Sequence, residues 1–211
     1  MSFSPIILTA AGRSLRMGSP KGLVHCPDGR TWIRAQIGKL EALGFTEIRI
    51  VLGFESESYQ KELEPINKRI LVLQNPDPSR GPFSSLQTGL GDRGNGSEPV
   101  FFLPLDVPCP SKDVFQLLSE SLKRPQTLVS IPRFKGRSGH PVLLSGDFTK
   151  SLCTLDPTHP DARLDRQIET LANHEVNQVD VSDLEVTLNL NTPDAMLEYF
   201  SLIAPLRPER L

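Results

Sequence analysis

The 211-residue sequence predicts an α/β fold on a mostly parallel sheet, with a short antiparallel addition near its end. Three observations carry this. Ile6–Thr9 is apolar without alternation, the pattern of a strand buried on both faces, and Ile48–Leu52 and Ile70–Leu73 read as the second and third strands. Helical patterns separate them, so the order β-α-β-α-β demands right-handed crossovers. The length suits one α/β domain and is cramped for two, so residues 1–211 are expected to form a single domain with a frayed tail from Pro205.

Each element has its own signal. Asp28-Gly29 is a turn, and Thr31 stands at the cap of a helix whose apolar face is Ile33, Ile37, Leu40 and Leu43. Gly44 suits its stop. A polar helix covers Ser56–Leu63. Pro76, Pro78 and Pro82 make the next segment irregular, with a helix starting near Ser84 or Ser85. Leu90–Pro99 reads as a surface loop, and Val100–Leu103 as a buried strand that ends just before Asp106. Ser111 caps a helix with the stripe Val114, Leu117, Leu118 and Leu122, and Thr127–Ile131 is a fifth strand. The basic turn Arg133–Gly139 leads into Pro141–Leu144, the antiparallel addition. Asp161 caps a helix through Leu164, Ile168 and Leu171; Val176–Val181 and Val186–Leu190 read as strands. Thr192-Pro193 opens a last helix with Met196, Leu197, Phe200 and Ile203 on its apolar face.

Composition narrows the function. The formal net charge of −2 argues against a general nucleic-acid or anionic-membrane binder and leaves room for a local basic pocket. Cys26, Cys109 and Cys153 form no CxxC pair, which predicts reduced thiols, no zinc site and a cytoplasmic protein. No basic leader precedes Ile6–Leu8, and no apolar run reaches membrane-spanning length.

The chemistry concentrates in Ile6–Gly22, IILTAAGRSLRMGSPKG. A buried strand feeds a loop carrying Arg13, Arg16 and Lys21 and no acid. Gly12 and Gly18 let a ligand approach the main chain, whose N–H groups cradle phosphate oxygens while fixed cations offset their charge. The alternative is a solvated basic surface loop, which two glycines, three cations and a preceding buried strand disfavour. The spacing matches neither GxxxxGK[ST] nor GxGxxG, so the ATPase and dehydrogenase fingerprints are excluded. In an open α/β sheet ligands bind beyond the carboxyl ends of the strands, and Asp106 falls there as well. A carboxylate facing a basic phosphate loop is most simply a Mg²⁺ ligand; the alternative is an acceptor of turn hydrogen bonds beside Pro108. His140, after Arg133, Lys135 and Arg137, has two readings, contact with an anionic acceptor or a hydrogen bond within its own loop. Trp32 is read as core, and His25, His159 and His174 match no metal pattern.

Ala10-Ala11-Gly12-x-Ser14-x-Arg16-Met17-Gly18-x-x-Lys21 resembles the signature of the nucleotidyltransferases related to molybdenum cofactor guanylyl- and cytidylyltransferases. Gly81-Pro82-Phe83-Ser84-Ser85-Leu86-x-x-Gly89 resembles their serine-rich segment, and Leu103-Pro104-Leu105-Asp106-x-Pro108 their metal-aspartate motif. Gly136-Arg137-x-Gly139-His140-Pro141 resembles a loop of the cytidylyltransferase branch, and Asn189-x-Asn191-Thr192-Pro193-Asp194 the closing motif. The resemblance implies a Rossmann-like three-layer sandwich of the nucleotide-diphospho-sugar transferase type. It implies transfer of a nucleoside monophosphate to a phosphorylated acceptor such as molybdopterin, with Mg²⁺ as cofactor and pyrophosphate as product. Arg16, Lys21 and Asp106 become catalytic; Leu8, Ala10, Ala11, Gly12, Arg13, Ser14, Gly18, Lys21, Ser84 and Ser85 bind nucleotide. Asp106 and Asn191 hold metal, while Gly139 and His140 face the acceptor. Alanine rather than glycine at Ala11 favours CTP over GTP. A transient contact with a molybdoenzyme or its chaperone follows from the same likeness. Asn189 and Asn191 replace residues usually acidic in the cytidylyltransferase branch, Val107 replaces its glutamine, and Gly22 replaces a bulkier residue. An Asn offers metal a carbonyl oxygen with one less negative charge, which weakens affinity. Two other readings compete: a sugar-1-phosphate or alditol-phosphate nucleotidyltransferase, and a non-catalytic protein that holds a nucleotide or cofactor for delivery.

Overall fold

The first three expected strands align in one sheet. In the computed structural model, which describes residues 3–65, 67–91 and 98–203, β1 (Ile6–Ala10) lies between β2 (Ile48–Leu52) and β4 (Val100–Pro104), parallel to both. Leu8 aligns with Ile50 on one side and Leu103 on the other. β3 (Ile70–Gln74) extends the parallel part beyond β2. On the far side β7 (Val142–Leu144) runs antiparallel to β4 and to β5 (Val129–Phe134), as expected for the added strand. β6 (Arg137–Ser138) closes a hairpin on β5, and β8 (Val176–Asp180) runs parallel to β5.

The helices form layers on both faces. Side chains alternate along each central strand, so Ile6, Leu8, Phe101 and Leu103 enter one core while Ile7, Val100 and Phe102 enter the other. The first core packs α1 (Trp32–Leu43), α2 (Ser56–Leu63), α4 (Lys112–Leu122) and α7 (Pro193–Ile203). The second packs α3 (Pro82–Leu90), α5 (Gly146–Thr154) and α6 (Leu164–Glu169). Phe3, Phe45, Phe101 and Phe115 fill the first core with ring centroids 5.0–6.4 Å apart.

Several sequence expectations need correction. Val186–Leu190 is no strand: Leu184–Thr187 forms a 3-10 turn, because the Asp183 carboxylate accepts the Glu185 N–H and the Val186 carbonyl bonds the His140 N–H. α3 starts at Pro82, earlier than Ser84; proline at a first helical position loses no hydrogen bond. α5, capped by the Ser145 hydroxyl, is unforeseen. α6 begins after Arg163 and not after Asp161. Thr31 and Ser111 hold cap positions without capping bonds; the Thr31 hydroxyl donates to Glu62 instead. Thr192 does cap α7, and Gly44 ends α1 at φ +97°. Leu117, Leu197 and Ile203 of the proposed stripes are exposed. Most of the Leu90–Pro99 loop, and the tail from residue 204, lie outside the described residues. No helix among the described residues is long and apolar enough to cross a membrane.

Helix α1 also secures the loop after β4. Buried Trp32 donates its Nε1–H to the Leu105 carbonyl at 2.7 Å, and the Gln36 side chain accepts the Cys109 N–H at 2.6 Å. Trp32→Phe keeps the ring against Tyr199 and Phe200 but strands the Leu105 carbonyl. Urea unfolding should show a loss of about 1–3 kcal/mol, the cost of an unsatisfied buried acceptor.

Candidate active site

The loop after β1 is held open by local bonds. Ser14 sits in the left-handed region at φ +51° and Gly18 at φ +70°, bracketing a 3-10 turn over Leu15–Met17. Buried Met17 anchors the turn to the core. The Ser14 hydroxyl accepts the Lys21 N–H at 3.1 Å, which returns the chain toward the strand end. Gly12 does not use left-handed angles; a side chain at this position would project into open space. Its role is therefore access to the main chain.

Beyond the strand ends lies a cleft of about 400 Å³ lined by Ala10, Ala11, Gly12, Arg13, Ser14, Lys21, Ser85 and Asp106, among others. Of the expected nucleotide residues Leu8, Gly18 and Ser84 do not line it, and neither does Arg16, expected to be catalytic. Leu8 is fully buried in β1, and Arg16 and Gly18 are exposed on the loop. Ser84 stands one residue back from the wall, its hydroxyl donating to the Gly81 carbonyl.

Three wall-forming or supporting residues escaped the sequence reading. Buried Asn75, at the end of β3, donates to the hydroxyls of Ser84 and Ser85 at 2.9 and 3.0 Å and fixes both. Phe54 lines the cleft and stacks under the Arg13 guanidinium, 4.2 Å from the ring centroid. Tyr59 lines it too, and its hydroxyl accepts the Gly22 N–H at 3.0 Å. A Cβ on Gly22 would meet the Tyr59 ring at 2.5 Å, so the glycine is a consequence of the tyrosine.

Asp106 stands at a junction. Its backbone carbonyl accepts the Leu190 N–H at 2.7 Å, and Leu105 donates to Thr9 at 3.1 Å, fixing the loop on both sides. The Lys21 ammonium lies 3.4 Å from the Asp106 carboxylate and donates to the Asn191 side-chain oxygen. The Asn191 amide donates in turn to Asn189. A single carboxylate and a carboxamide oxygen thus converge on one cation. No group of three or more His, Cys, Asp or Glu side chains suited to a metal occurs among the described residues. That donor set fits Mg²⁺ bound with substrate phosphates, since Mg²⁺ needs only one or two protein carboxylates.

A second cavity of about 770 Å³ shares Thr9, Pro82, Pro104 and Asp106 with the first. Gly139 and His140 both line it, beside Phe102, Val142, Arg163 and Asn189. A Cβ on Gly139 would come within 1.9 Å of the Val186 carbonyl oxygen, so only glycine permits this close approach. The His140 imidazole packs edge-on to Phe102, 5.8 Å between centroids, and the loop is held through its backbone N–H. Burial lowers its pKa to about 4, against a smaller upward pull from Asp106, and the ring is neutral at pH 7. Burial likewise pushes the thiols of Cys26 up to about 11 and Cys109 up to about 12, leaving them inert. Cys26, Cys109 and Cys153 are all free.

A basic loop, a carboxylate and two adjoining clefts lie beyond the carboxyl ends of the parallel strands, the place where open α/β sheets bind their ligands. Residues 6–181 match the MobA-like NTP transferase domain, and the chain belongs to that family. It is similar to the molybdenum cofactor cytidylyltransferase of Escherichia coli, 28% identical over 92% of this chain and 94% of that protein. It is 32% identical to the "Probable molybdenum cofactor guanylyltransferase" of Rhodopirellula baltica, over 51% of this chain and only 50% of that protein. Rv0371c of Mycobacterium tuberculosis shares the fold, with a TM-score of 0.75 at 21% identity over 94% of this chain and 98% of that one.

The neutral imidazole has a measurable consequence. The unfolded chain takes up a proton near pH 6.5 and folded His140 only near 4, so His140 weakens stability as pH falls through that window. In denaturant titrations at pH 7 and pH 5, His140→Phe should lose less stability than the wild type on acidification.

Proposed function

We propose that the protein transfers a nucleoside monophosphate from an NTP, CTP in preference to GTP, to a phosphate oxygen of an acceptor, releasing pyrophosphate. Molybdopterin is the first candidate acceptor. The carrying observation is that the two clefts meet at Asp106, opposite the basic loop. An NTP lying along Ala10–Ser14 has its triphosphate beside Lys21 and its α-phosphate toward the acceptor cavity. The loop amides and Lys21 take the charge of the triphosphate and of the departing pyrophosphate, and Arg16, exposed on the loop outside the cleft wall, joins them only if its side chain swings in. Asp106 and Asn191 would hold Mg²⁺, which when bound supplies charge neutralisation and polarises the phosphates. The acceptor oxygen attacks the α-phosphorus as the bond to the β-phosphate oxygen breaks. Gly139 and His140 position the acceptor, His140 as an uncharged hydrogen-bonding group. Orientation and electrostatics carry this reaction, so no activated nucleophile is required.

Ala11 supports the base preference. Ala11 lines the cleft with Gly53 packed against it, and the preference for CTP rests on the resemblance, in which alanine at this position marks the cytidylyl branch. The family relatives include named cytidylyl- and guanylyltransferases, so the comparison leaves the base to this position.

Pyrophosphate release with each NTP and Mg²⁺, with molybdopterin or sugar phosphates as acceptor, tests the reading. Lys21→Ala and Asp106→Ala should each lower turnover at least about a hundredfold, the range seen on removing one transition-state donor. Near-normal release by either variant would sink its assignment. In calorimetric titrations CTP should bind more tightly than GTP; equal or tighter GTP binding overturns the base choice.

A further inference from the structure

We propose that Lys21 is the resident cation of the Asp106–Asn191 site before substrate arrives, and that it keeps a divalent ion out until a nucleotide draws it away. The inference rests on the reading of Asp106 and Asn191 as metal ligands. The Lys21 ammonium stands in for a metal ion there: it lies 3.4 Å from the Asp106 carboxylate and donates to the Asn191 oxygen. One ammonium against one carboxylate leaves the pair neutral. A divalent ion entering the free protein would have to displace a charge already matched, at close range and in a half-buried setting where like-charge repulsion is weakly screened. Had Asn189 and Asn191 been acids, the site would stay negative with Lys21 in place and would still attract metal. Asn191 instead spends its amide on Asn189 and its oxygen on Lys21.

The backbone beneath Lys21 is fixed while its side chain reaches both the Asp106–Asn191 pair and the cleft. Its N–H is held by the Ser14 hydroxyl and the following N–H, on Gly22, by the Tyr59 hydroxyl. The same side chain lines the cleft read as the triphosphate site. A triphosphate carries more charge than one carboxylate, so its arrival takes the ammonium and frees both oxygens together. Metal then enters with the nucleotide or after it, and the free protein does not sequester divalent ions.

The test is Mn²⁺ binding to the full chain without nucleotide, read from the free-ion electron paramagnetic resonance signal. Lys21→Met should bind Mn²⁺ at least about tenfold more tightly than wild type, a difference of about 1.4 kcal/mol. Lys21→Gln, which removes the charge but keeps a polar end, should gain similarly, and it serves if the methionine variant fails a thermal-melt check. Adding Asp106→Asn to either variant should abolish the gain. Wild-type binding as tight as that of the lysine variants, or a gain that survives loss of Asp106, overturns the proposal. Pyrophosphate release by the wild type is measured separately. Turnover with no gain in the lysine variants ends this proposal and leaves the transferase reading standing.

Discussion

The site depends on how firmly the loop after β4 is tied down. Asp106 can serve both clefts because its backbone cannot move toward either. Trp32 and Gln36 reach it from α1, Thr9 receives the Leu105 N–H from β1, and Leu190 donates to the Asp106 carbonyl. These bonds come from segments far apart in sequence, so forming the site requires the whole first core to be assembled. The residues that carry charge are few, but the residues that aim them are spread through the fold. A displacement of about 1 Å in such a group is enough to cost most of the benefit of orientation.

The wall of the second cavity shows the same economy of polar groups. The His140 N–H donates to the Val186 carbonyl of the 3-10 turn and the Gly139 N–H to Pro132, and the missing side chain at 139 lets the Val186 carbonyl approach. The imidazole is thereby placed at the cavity by main-chain contacts, with its ring atoms turned to Phe102 and the open space. A charged imidazolium there would compete with Lys21 for Asp106. Desolvation removes that competitor at neutral pH and leaves one cation for one carboxylate.

The two central parallel strands were legible because they are buried on both faces and so carry unbroken apolar runs, Ile6–Leu8 and Val100–Leu103. The basic loop and Asp106 were legible from residue type and position. The limits have physical causes. Val186, Leu188 and Leu190 alternate as a strand would, and Val186 and Leu190 are indeed buried, yet their backbone groups bond to His140 and Asp106 instead of a neighbouring strand. α5 hides its face in two residues, Phe148 and Leu152, too few for periodicity to announce a helix. Asn75 acts through two hydroxyls nine and ten residues away across a proline-rich turn, a geometry no pattern of residue types encodes.

The pairing of Gly22 with Tyr59 shows why single departures from a family pattern mislead when taken one at a time. A glycine after the lysine looks like a weakened loop, since glycine gives up side-chain packing and costs chain entropy. In three dimensions the tyrosine from α2 fills the vacated volume, accepts the freed N–H and adds its ring to the cleft wall. The backbone on which Lys21 stands is therefore no looser than with a larger residue. The same logic extends to Asn189 and Asn191. Replacing acids with amides removes charge from the site, but the amides bond each other and Lys21, so the lost attraction for metal is exchanged for a defined position of the lysine. On the proposed reading, what changes is the order in which charges meet, with the nucleotide's phosphates supplying the negative charge that the protein itself withholds.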